Sequence, residues 1–278
     1  MNVFQLIKTV LDELYVRIPG DTETKDNEIK KRIQSLSKGY EDLAKGVTND
    51  YSDVATRFAY IYKYVTSHAN IVYQLIQGSS ELADLFDRDK VNVTCIGGGP
   101  GSDFLGILKY VIKEEKNPRL RCTLFDKERA WGECWQDVDE KLEPQLAITT
   151  VVQPFDVTDR EGLSNYGKYL NADLFMMVYF MSEVDSLRES AEPFFTNLFE
   201  KAKTGAMFLY VDNNNEQFYG WFDSLAAAHS LEVLQSTEIP NMLISDFSEE
   251  KKDLGRFWEK FESPKLRANI AFRVCRKR

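Results

Sequence analysis

Strand-like and helix-like segments alternate along the chain after residue 90, and this alternation limits the possible folds more than any other feature. Short runs rich in β-branched and aromatic residues are each followed by apolar residues at helical spacing. The predicted strands are 91–96, 120–126, 146–152, 172–180, 205–212, 231–237 and 268–276. The predicted helices between them are 102–116, 127–142, 159–170, 183–203 and 215–230. Such alternation predicts parallel strands joined by right-handed crossovers in a doubly wound α/β sheet.

The run ADLFMMVYF, residues 172–180, is apolar nearly throughout, as expected for a central strand buried on both faces. In doubly wound folds, ligands bind beyond the carboxyl ends of the strands, where the strand order reverses. The chemistry is therefore expected directly after the strands, next to Ile96, Phe125, Val152, Phe180 and Val211.

The chain before residue 90 is helical in pattern, which predicts a helical cap domain over 1–90 and a second domain over 91–278. The predicted helices are 2–18, 27–46, 50–76 and 79–88. Tyr60, Tyr64 and His68 form a stripe at i, i+4 and i+8. Such a stripe can line an acceptor pocket as a lid, but it is more often the polar margin of a packed helix.

Composition and charge exclude several classes of protein. A chain of 278 residues with 43% hydrophobic residues is globular, and a net charge of −9 disfavours a surface built to bind nucleic acid. No apolar run is long enough to span a membrane, and the N-terminal segment is not a secretory signal. Four cysteines without a C-x-x-C pair predict no metal site and a cytoplasmic location, with a nuclear location as the alternative.

The stretch CIGGGPGSD, residues 95–103, joins the first strand to its helix and carries Gly97, Gly99 and Gly101 at alternate positions. Missing Cβ atoms let backbone N–H groups approach a ligand, and a helix N-terminus adds positive partial charge. Ser102 is the expected N-cap, and Asp103 lies in the first turn. A dinucleotide loop reads G-x-G-x-x-G, which would need glycine at position 102. A nicotinamide dehydrogenase is therefore the less favoured alternative.

The G-x-G-x-G spacing and the strands that follow resemble the class I S-adenosylmethionine-dependent methyltransferase superfamily, over about residues 91–236 and the last strand. The resemblance implies a Rossmann-like, seven-stranded sheet of the methyltransferase type, with S-adenosylmethionine as cofactor. It also implies that Asp126 receives the ribose hydroxyls and that Asp156, with the backbone of Val157, reads the adenine. A turn or helix cap is an equally good interpretation of Asp156. The predicted cofactor-binding residues are Gly97, Gly98, Gly99, Gly101, Asp103, Asp126, Asp156, Val157 and Tyr179.

One position departs from the superfamily pattern. Its members usually carry an acidic residue two before the first glycine, where it helps to hold the methionine ammonium, and this chain has Cys95 there. Asp103, just past the loop, can supply the missing negative charge.

The segment after strand four supplies the predicted catalytic residues, Tyr179, Ser182 and Glu183. Glu183 is the nearest carboxylate that could remove a proton from an acceptor, and its alternative role is to cap the next helix. Trp131 and Trp135 share a helix face, for which core packing is favoured over stacking near adenine.

The sequence therefore predicts an enzyme, an S-adenosylmethionine-dependent methyltransferase, whose acceptor is a small molecule, an RNA base or a protein. Short segments (GGGPGSD, ADLFMMVYFMSEV and FLYVDN) are loosely similar to the fungal large-subunit ribosomal RNA uridine methyltransferases. The alternative is a catalytically silent relative that binds S-adenosylmethionine as a sensor or a partner-docking protein. A long insert, 238–267, is expected either to close over the acceptor or to pack on the sheet edge.

Overall fold

A seven-stranded sheet forms the centre of the computed structural model, which describes residues 1–41, 50–142, 146–159, 166–167, 169–244 and 251–278. The strands are β1 (Lys90–Ile96), β2 (Arg119–Asp126), β3 (Ile148–Pro154), β4 (Leu174–Val178), β5 (Met207–Asn213), β6 (Leu231–Leu243) and β7 (Arg267–Lys277). Their order across the sheet is β3-β2-β1-β4-β5-β7-β6. The strands β1 to β5 pair in parallel, and β7 is antiparallel to both of its neighbours. The predicted doubly wound, Rossmann-like sheet of the methyltransferase type is confirmed.

The strand order reverses at β1, which places the ligand-binding crevice. Cys95 in β1 pairs with Leu124 of β2 on one side and with Met176 of β4 on the other, both in parallel. The crossovers that leave β1 and β4 therefore diverge to opposite sides. A crevice opens between their carboxyl ends, as in other doubly wound sheets.

Helices cover both faces of this sheet. They are α1 (Val3–Arg17), α2 (Thr22–Glu41), α3 (Val54–Tyr60), α4 (Thr66–Gln77), α5 (Ser80–Ala83), α6 (Ser102–Lys113), α7 (Trp131–Asp139), α8 (Met181–Val184), α9 (Arg188–Lys201), α10 (Glu216–Ala228) and α11 (Arg256–Lys260). One apolar cluster joins the N-terminal helices, α6 and α7 to one face, and a second joins α8, α9 and α10 to the other. No helix in the described ranges is both long and apolar enough to cross a membrane.

Several predicted boundaries are wrong. The strand β6 continues to Leu243, six residues into the predicted insert 238–267, because it stays paired with β7 as far as Leu243 and Arg267. The helix α2 begins at Thr22 and not at 27. The helix α7 begins at Trp131 and not at 127, because the residues before it form a turn around a carboxylate. Most of the predicted helix 159–170 lies outside the described residues, and the division into domains at residue 90 stays a prediction.

Gly106 sets how closely α4 and α6 cross. A Cβ atom there would lie 2.6 Å from the carbonyl oxygen of Ala69 and 2.6 Å from Cβ of Val72. Both atoms belong to a packed helix, so neither can move as the free end of a flexible side chain does. Helix α6 therefore needs glycine at this position despite the low helix propensity of glycine.

We expect Gly106→Ala to lower the free energy of unfolding by about 1–3 kcal/mol, because the added methyl group overpacks the crossing. The control is Gly220→Ala in α10, where a Cβ would meet only the Cγ of Glu216 at 3.9 Å. That change should raise stability by up to about 1 kcal/mol through helix propensity alone. Urea denaturation measures both. Equal effects of the two substitutions would contradict the proposed close crossing.

Candidate functional site

The loop between β1 and α6 lies at the crevice, and its glycines are required by close packing. Gly97 and Gly101 have φ values of +69° and +84°, a region that side-chain-bearing residues rarely adopt. A Cβ on Gly97 would lie 2.2 Å from Cδ2 of Phe180, and one on Gly101 would lie 2.3 Å from Cε3 of Trp135. Each of these glycines therefore allows an aromatic ring to pack directly against the loop.

Three N–H groups of this loop donate to acceptors within the protein, whereas the sequence predicted that the loop N–H groups face a ligand. The Gly98 N–H donates to the carbonyl of Phe125 at 2.9 Å, and the Gly101 N–H donates to the carbonyl of Gly98 at 2.8 Å. The Gly99 N–H donates to Oδ2 of Asp126 at 2.9 Å. These donors hold the loop against the end of β2, so the glycines provide space beside the crevice while their hydrogen bonds stay within the protein.

Asp126 ends β2 and joins the two loops that border the crevice. Its Oδ2 accepts the Gly99 N–H, and its Oδ1 accepts the Glu128 N–H at 2.9 Å. Burial raises the pKa of this carboxyl to about 6, although both hydrogen bonds oppose the rise. A carboxylate has about four acceptor positions, so Asp126 can accept further hydrogen bonds from hydroxyl groups of a ligand.

A cavity of about 450 Å³ opens beside Asp126, and we call it the first cavity. Its described lining consists of Asp50, Tyr51, Gly97, Phe125, Asp126, Lys127, Glu128, Phe155, Asp156, Val157, Phe180, Glu183, Val184 and Leu187. Five of the predicted site residues come together here, namely Gly97, Asp126, Asp156, Val157 and Glu183. The lining holds five acidic side chains and one lysine, so the first cavity favours a positively charged ligand.

Aromatic and aliphatic side chains complete the walls of the first cavity, and Phe125, Phe155, Phe180 and Leu187 were not among the predicted site residues. Phe125 and Phe155 stack with ring centroids 4.8 Å apart, and Leu187 is 42% exposed at the rim. Phe125 directly precedes Asp126, and Phe155 directly precedes Asp156. Their position at the carboxyl ends of strands was the available signal, since ligands of doubly wound sheets bind beyond those ends.

Asp156 is held in a local turn within this lining. Its Oδ1 accepts the Thr158 N–H at 2.9 Å and the Thr158 hydroxyl at 2.7 Å, and its Oδ2 pairs with Nζ of Lys127 at 3.0 Å. Asp156 thus has the role in a turn that was its alternative interpretation. Contact with adenine stays a prediction for Asp156 and for Val157, whose side chain is buried beside it.

Asp103, in the first turn of α6, is a buried acid with one unpartnered oxygen, and it is not part of the described lining of the first cavity. Only 2% of the residue is exposed, its Oδ1 accepts the Ser102 hydroxyl at 3.2 Å, and its Oδ2 has no hydrogen-bond partner within the described ranges. Burial raises the pKa of Asp103 to about 8. The predicted N-cap role of Ser102 is wrong, because Gly101 occupies that position and no side chain caps α6. The Ser102 hydroxyl serves Asp103 instead.

The residues after β4 divide between two places. Glu183 lines the first cavity, where Tyr51 donates its hydroxyl to Oε1 at 3.4 Å. Ser182 is buried, its N–H donates to Asp212 at 2.9 Å, and its hydroxyl lies 3.5 Å from the Tyr179 carbonyl. Tyr179 points away from the first cavity and ends β4 early, because it adopts φ +56°.

The tyrosine and histidine stripe of the N-terminal helices meets Tyr179, so the polar-margin interpretation is wrong. A π-helical segment, Ile61–Val65, joins α3 to α4 and brings the rings of Tyr60 and His68 to 6.1 Å. Eight residues of a straight α-helix rise by about 12 Å. The two side chains therefore lean toward each other along the helix axis. His68 then stacks on Tyr179, with centroids 4.4 Å apart and 20° between the planes. Core packing of Trp131 and Trp135 is confirmed.

Within the part of the chain that the structure describes, no group of three or more His, Cys, Asp or Glu residues is placed to hold a metal ion. The four cysteines are free and buried. The Sγ atoms of Cys95 and Cys122 lie 3.8 Å apart beneath the glycine loop. Cys95, which departs from the pattern of the superfamily that the sequence resembles, is therefore enclosed by the core.

No family model and no curated protein matches this sequence. Among solved structures, the chain is similar to an S-adenosylmethionine-dependent methyltransferase from Methanosarcina mazei, with 10% identity over 70% of this chain and 96% of that one and a TM-score of 0.45. A putative RNA methyltransferase from Pyrococcus horikoshii has 11% identity, coverage of 87% and 97%, and a TM-score of 0.46. A TehB-like methyltransferase from Corynebacterium glutamicum has 15% identity, coverage of 88% and 98%, and a TM-score of 0.43. The strand order β3-β2-β1-β4-β5-β7-β6 itself shows the fold.

The buried Asp103 predicts a distinct dependence of stability on pH. Its folded-state pKa of about 8 lies above its ordinary value, so the native protein holds a proton that the unfolded chain releases between about pH 4 and 8. This group therefore lowers stability as pH rises through that window. We expect Asp103→Asn to gain stability relative to the unsubstituted protein between pH 5 and 8, by at least about 1 kcal/mol.

The measurement is urea denaturation of both proteins at several pH values without ligand. Asp137→Asn is the matched control, since Asp137 is also buried with an unpartnered Oδ2 but lies in α7 beside Arg17. A stability difference that stays constant with pH for Asp103→Asn would show that this carboxyl is ionised in the folded protein.

Proposed function

We propose that this chain is an S-adenosylmethionine-dependent methyltransferase and that the first cavity holds the methyl donor. The observation that carries the proposal is the charge of the crevice at the point where the strand order reverses. Five acidic side chains line the first cavity against one lysine. The buried Asp103, directly after the glycine loop, adds an oxygen without a partner among the described residues. S-adenosylmethionine carries a sulfonium and an ammonium group, so its net positive charge suits this site.

The same charge disfavours a nicotinamide dinucleotide. A dinucleotide brings a negatively charged pyrophosphate, which normally sits on free N–H groups at a helix N-terminus. Here the N–H groups of Gly98, Gly99 and Gly101 are used within the protein, and acidic side chains surround the space. The cavity thus offers negatively charged hydrogen-bond acceptors. These suit a cationic ligand with hydroxyl groups better than an anionic ligand.

Each end of the donor has a residue of suitable chemistry. Asp126 has free acceptor capacity for the ribose hydroxyls, and Asp103 offers a buried carboxylate oxygen to the ammonium group. Asp156 and Val157 border the part of the cavity assigned to adenine. Binding a cation near Asp103 favours its ionised form, so the pKa of Asp103 should fall when the donor binds.

When bound, S-adenosylmethionine supplies a methyl group that is already activated by its sulfonium leaving group. The protein then needs to align an acceptor with that methyl group and to exclude water. Phe125, Phe155 and Phe180 form apolar walls around the first cavity and reduce its access to water. Glu183 adds negative charge to the same lining, and its role as a general base stays a prediction.

Donor analogues separate the predicted roles of the two carboxylates. We expect Asp126→Asn to weaken the binding of both S-adenosylmethionine and 5′-methylthioadenosine at least tenfold, because both contain the ribose. Asp103→Asn should weaken the binding of S-adenosylmethionine at least tenfold, a loss of about 1.4 kcal/mol. It should leave the affinity for 5′-methylthioadenosine unchanged, since that compound lacks the amino-acid end.

Isothermal titration calorimetry measures these affinities, with Asp137→Asn as the control that should bind both compounds normally. NAD is the negative ligand for the unsubstituted protein. If Asp103→Asn lost affinity for both compounds equally, Asp103 would not be the residue that binds the ammonium group. Tight binding of NAD without binding of S-adenosylmethionine would overturn the proposed function.

A second candidate function is a silent S-adenosylmethionine-binding sensor or partner-docking protein. One observation favours it: Ser182, predicted to be catalytic, is buried, and its hydroxyl is directed at the Tyr179 carbonyl. Both candidates bind the donor, so binding alone cannot separate them. Transfer of the methyl group can.

We expect a tritiated methyl group to pass from S-adenosylmethionine to one fraction of a cell extract divided into metabolites, RNA and protein. An enzyme leaves the label covalently attached, whereas a sensor leaves it on the donor. The Asp126→Asn protein is the control and should transfer at most one tenth as much label at a donor concentration below saturation. Tight donor binding with no label in any fraction would favour the silent protein.

A further inference from the structure

A second cavity, of about 300 Å³, lies on the other side of the chain segment that follows β4. Its described lining consists of Ser37, Lys63, Tyr64, His68, Tyr179, Asn213 and Lys265. Tyr179 lines this second cavity, and the next residue, Phe180, lines the first, so the two cavities are neighbours. The volume lies at the lower end of the range for small-molecule sites, about 300–1,000 Å³. It is suitable for a ligand of one or two rings.

The walls of the second cavity favour a flat ligand. The rings of His68 and Tyr179 are stacked, and the Tyr64 ring lies 5.9 Å from His68 with only 32° between their planes. Three rings of similar tilt thus border one small space. Aromatic rings in proteins pair best with other planar rings, in offset-stacked or edge-on arrangements. A saturated, non-planar ligand would gain less from these walls.

The charge of the second cavity is opposite to that of the first. The Lys265 ammonium lies 4.5 Å from the Tyr179 ring centroid and 5.9 Å from that of Tyr64, and it donates to the Tyr179 hydroxyl at 3.3 Å. Within the described residues, no carboxylate lies within ion-pair distance of it. Burial lowers the pKa of Lys265 to about 8 against the attraction of Asp212, so the side chain is mainly a cation at pH 7.

The other basic groups around the cavity do not change this balance. Lys63 adds a cation whose Nζ donates to the Ser263 carbonyl at 3.0 Å and lies 3.6 Å from Glu262. Burial lowers the pKa of His68 well below its ordinary value, so its imidazole is neutral. Among the described residues, the Lys265 ammonium group is therefore without a counter-ion, and it lies next to stacked rings.

We propose that the second cavity is the methyl-acceptor site and that it takes a small planar aromatic anion, such as an aromatic carboxylate or a phenolate. This inference rests on the proposed function, because it places the donor in the first cavity. The acceptor ring lies against His68 and Tyr179, and its anionic oxygen lies at Lys265. In the transfer, a lone pair of that oxygen forms the bond to the methyl carbon while the carbon–sulfur bond breaks with its electrons going to sulfur. An acceptor that is already anionic has no proton to remove, so no general base is required.

Three small probes test the inference on the unsubstituted full-length protein: benzoate, cyclohexanecarboxylate and benzylamine. Benzoate is planar and anionic, the second compound is anionic but not planar, and the third carries the opposite charge. We expect benzoate to bind at least tenfold more tightly than either of the others, measured by ligand-observed NMR titration. Affinities of the three that agree within threefold would overturn the proposal.

Lys265→Met tests where benzoate binds, and it should lower the affinity for benzoate at least tenfold. The control is Lys90→Met, an exposed lysine at the amino end of β1, which should leave benzoate unchanged. Because the comparison of probes uses the unsubstituted protein, it decides the question even if Lys265→Met does not fold. Selective binding of benzoate without binding of S-adenosylmethionine would overturn the proposed function and, with it, the acceptor role of the second cavity. Binding of S-adenosylmethionine without selectivity for benzoate would overturn the acceptor role alone.

Discussion

The hydrogen bond between the Asp126 carboxylate and the Gly99 N–H joins the ends of β1 and β2, and the first cavity depends on it. Asp126 also accepts the Glu128 N–H, so one side chain fixes both loops that border the crevice. Burial alone would favour the neutral acid, whereas two N–H donors favour the carboxylate. The pKa of about 6 reflects this opposition and leaves Asp126 ionised at neutral pH. Asp126 thus contributes both to the shape of the first cavity and to its negative charge.

The two cavities differ in charge, and this difference fits a transfer between a cation and an anion. Carboxylates line the first cavity, while Lys265 lies in the second without a described counter-ion. In a partly buried site such charges are screened less than they are in water. Under the proposed function, each cavity would therefore favour its own ligand over the other. A protein with net charge −9 needs only a local cationic pocket to bind an anionic acceptor.

The fold could be predicted because hydrophobic periodicity and glycine position are local signals. The apolar run 172–180 directly predicts a buried strand. The glycines at 97–101, between a predicted strand and a predicted helix, indicate a loop at the strand end. The end of β6 could not be predicted, since residues as far as Leu243 become a strand only through pairing with β7. Nor could Lys265, which comes from an insert with no pattern of its own. The use of the glycine N–H groups by Asp126 and Phe125 also depends on tertiary contacts.

Tyr179 links the N-terminal helices to the end of β4. Its φ of +56° is unfavourable for a bulky side chain, and such strain persists only where the surroundings impose it. Here the Tyr179 N–H donates to the Val211 carbonyl at 2.7 Å, His68 stacks on its ring, and Lys265 holds its hydroxyl. Three separate elements therefore fix one residue that faces the second cavity, while its neighbour Phe180 packs on Gly97. Because residues 179 and 180 share one backbone segment, a shift of that segment would move a wall of each cavity together.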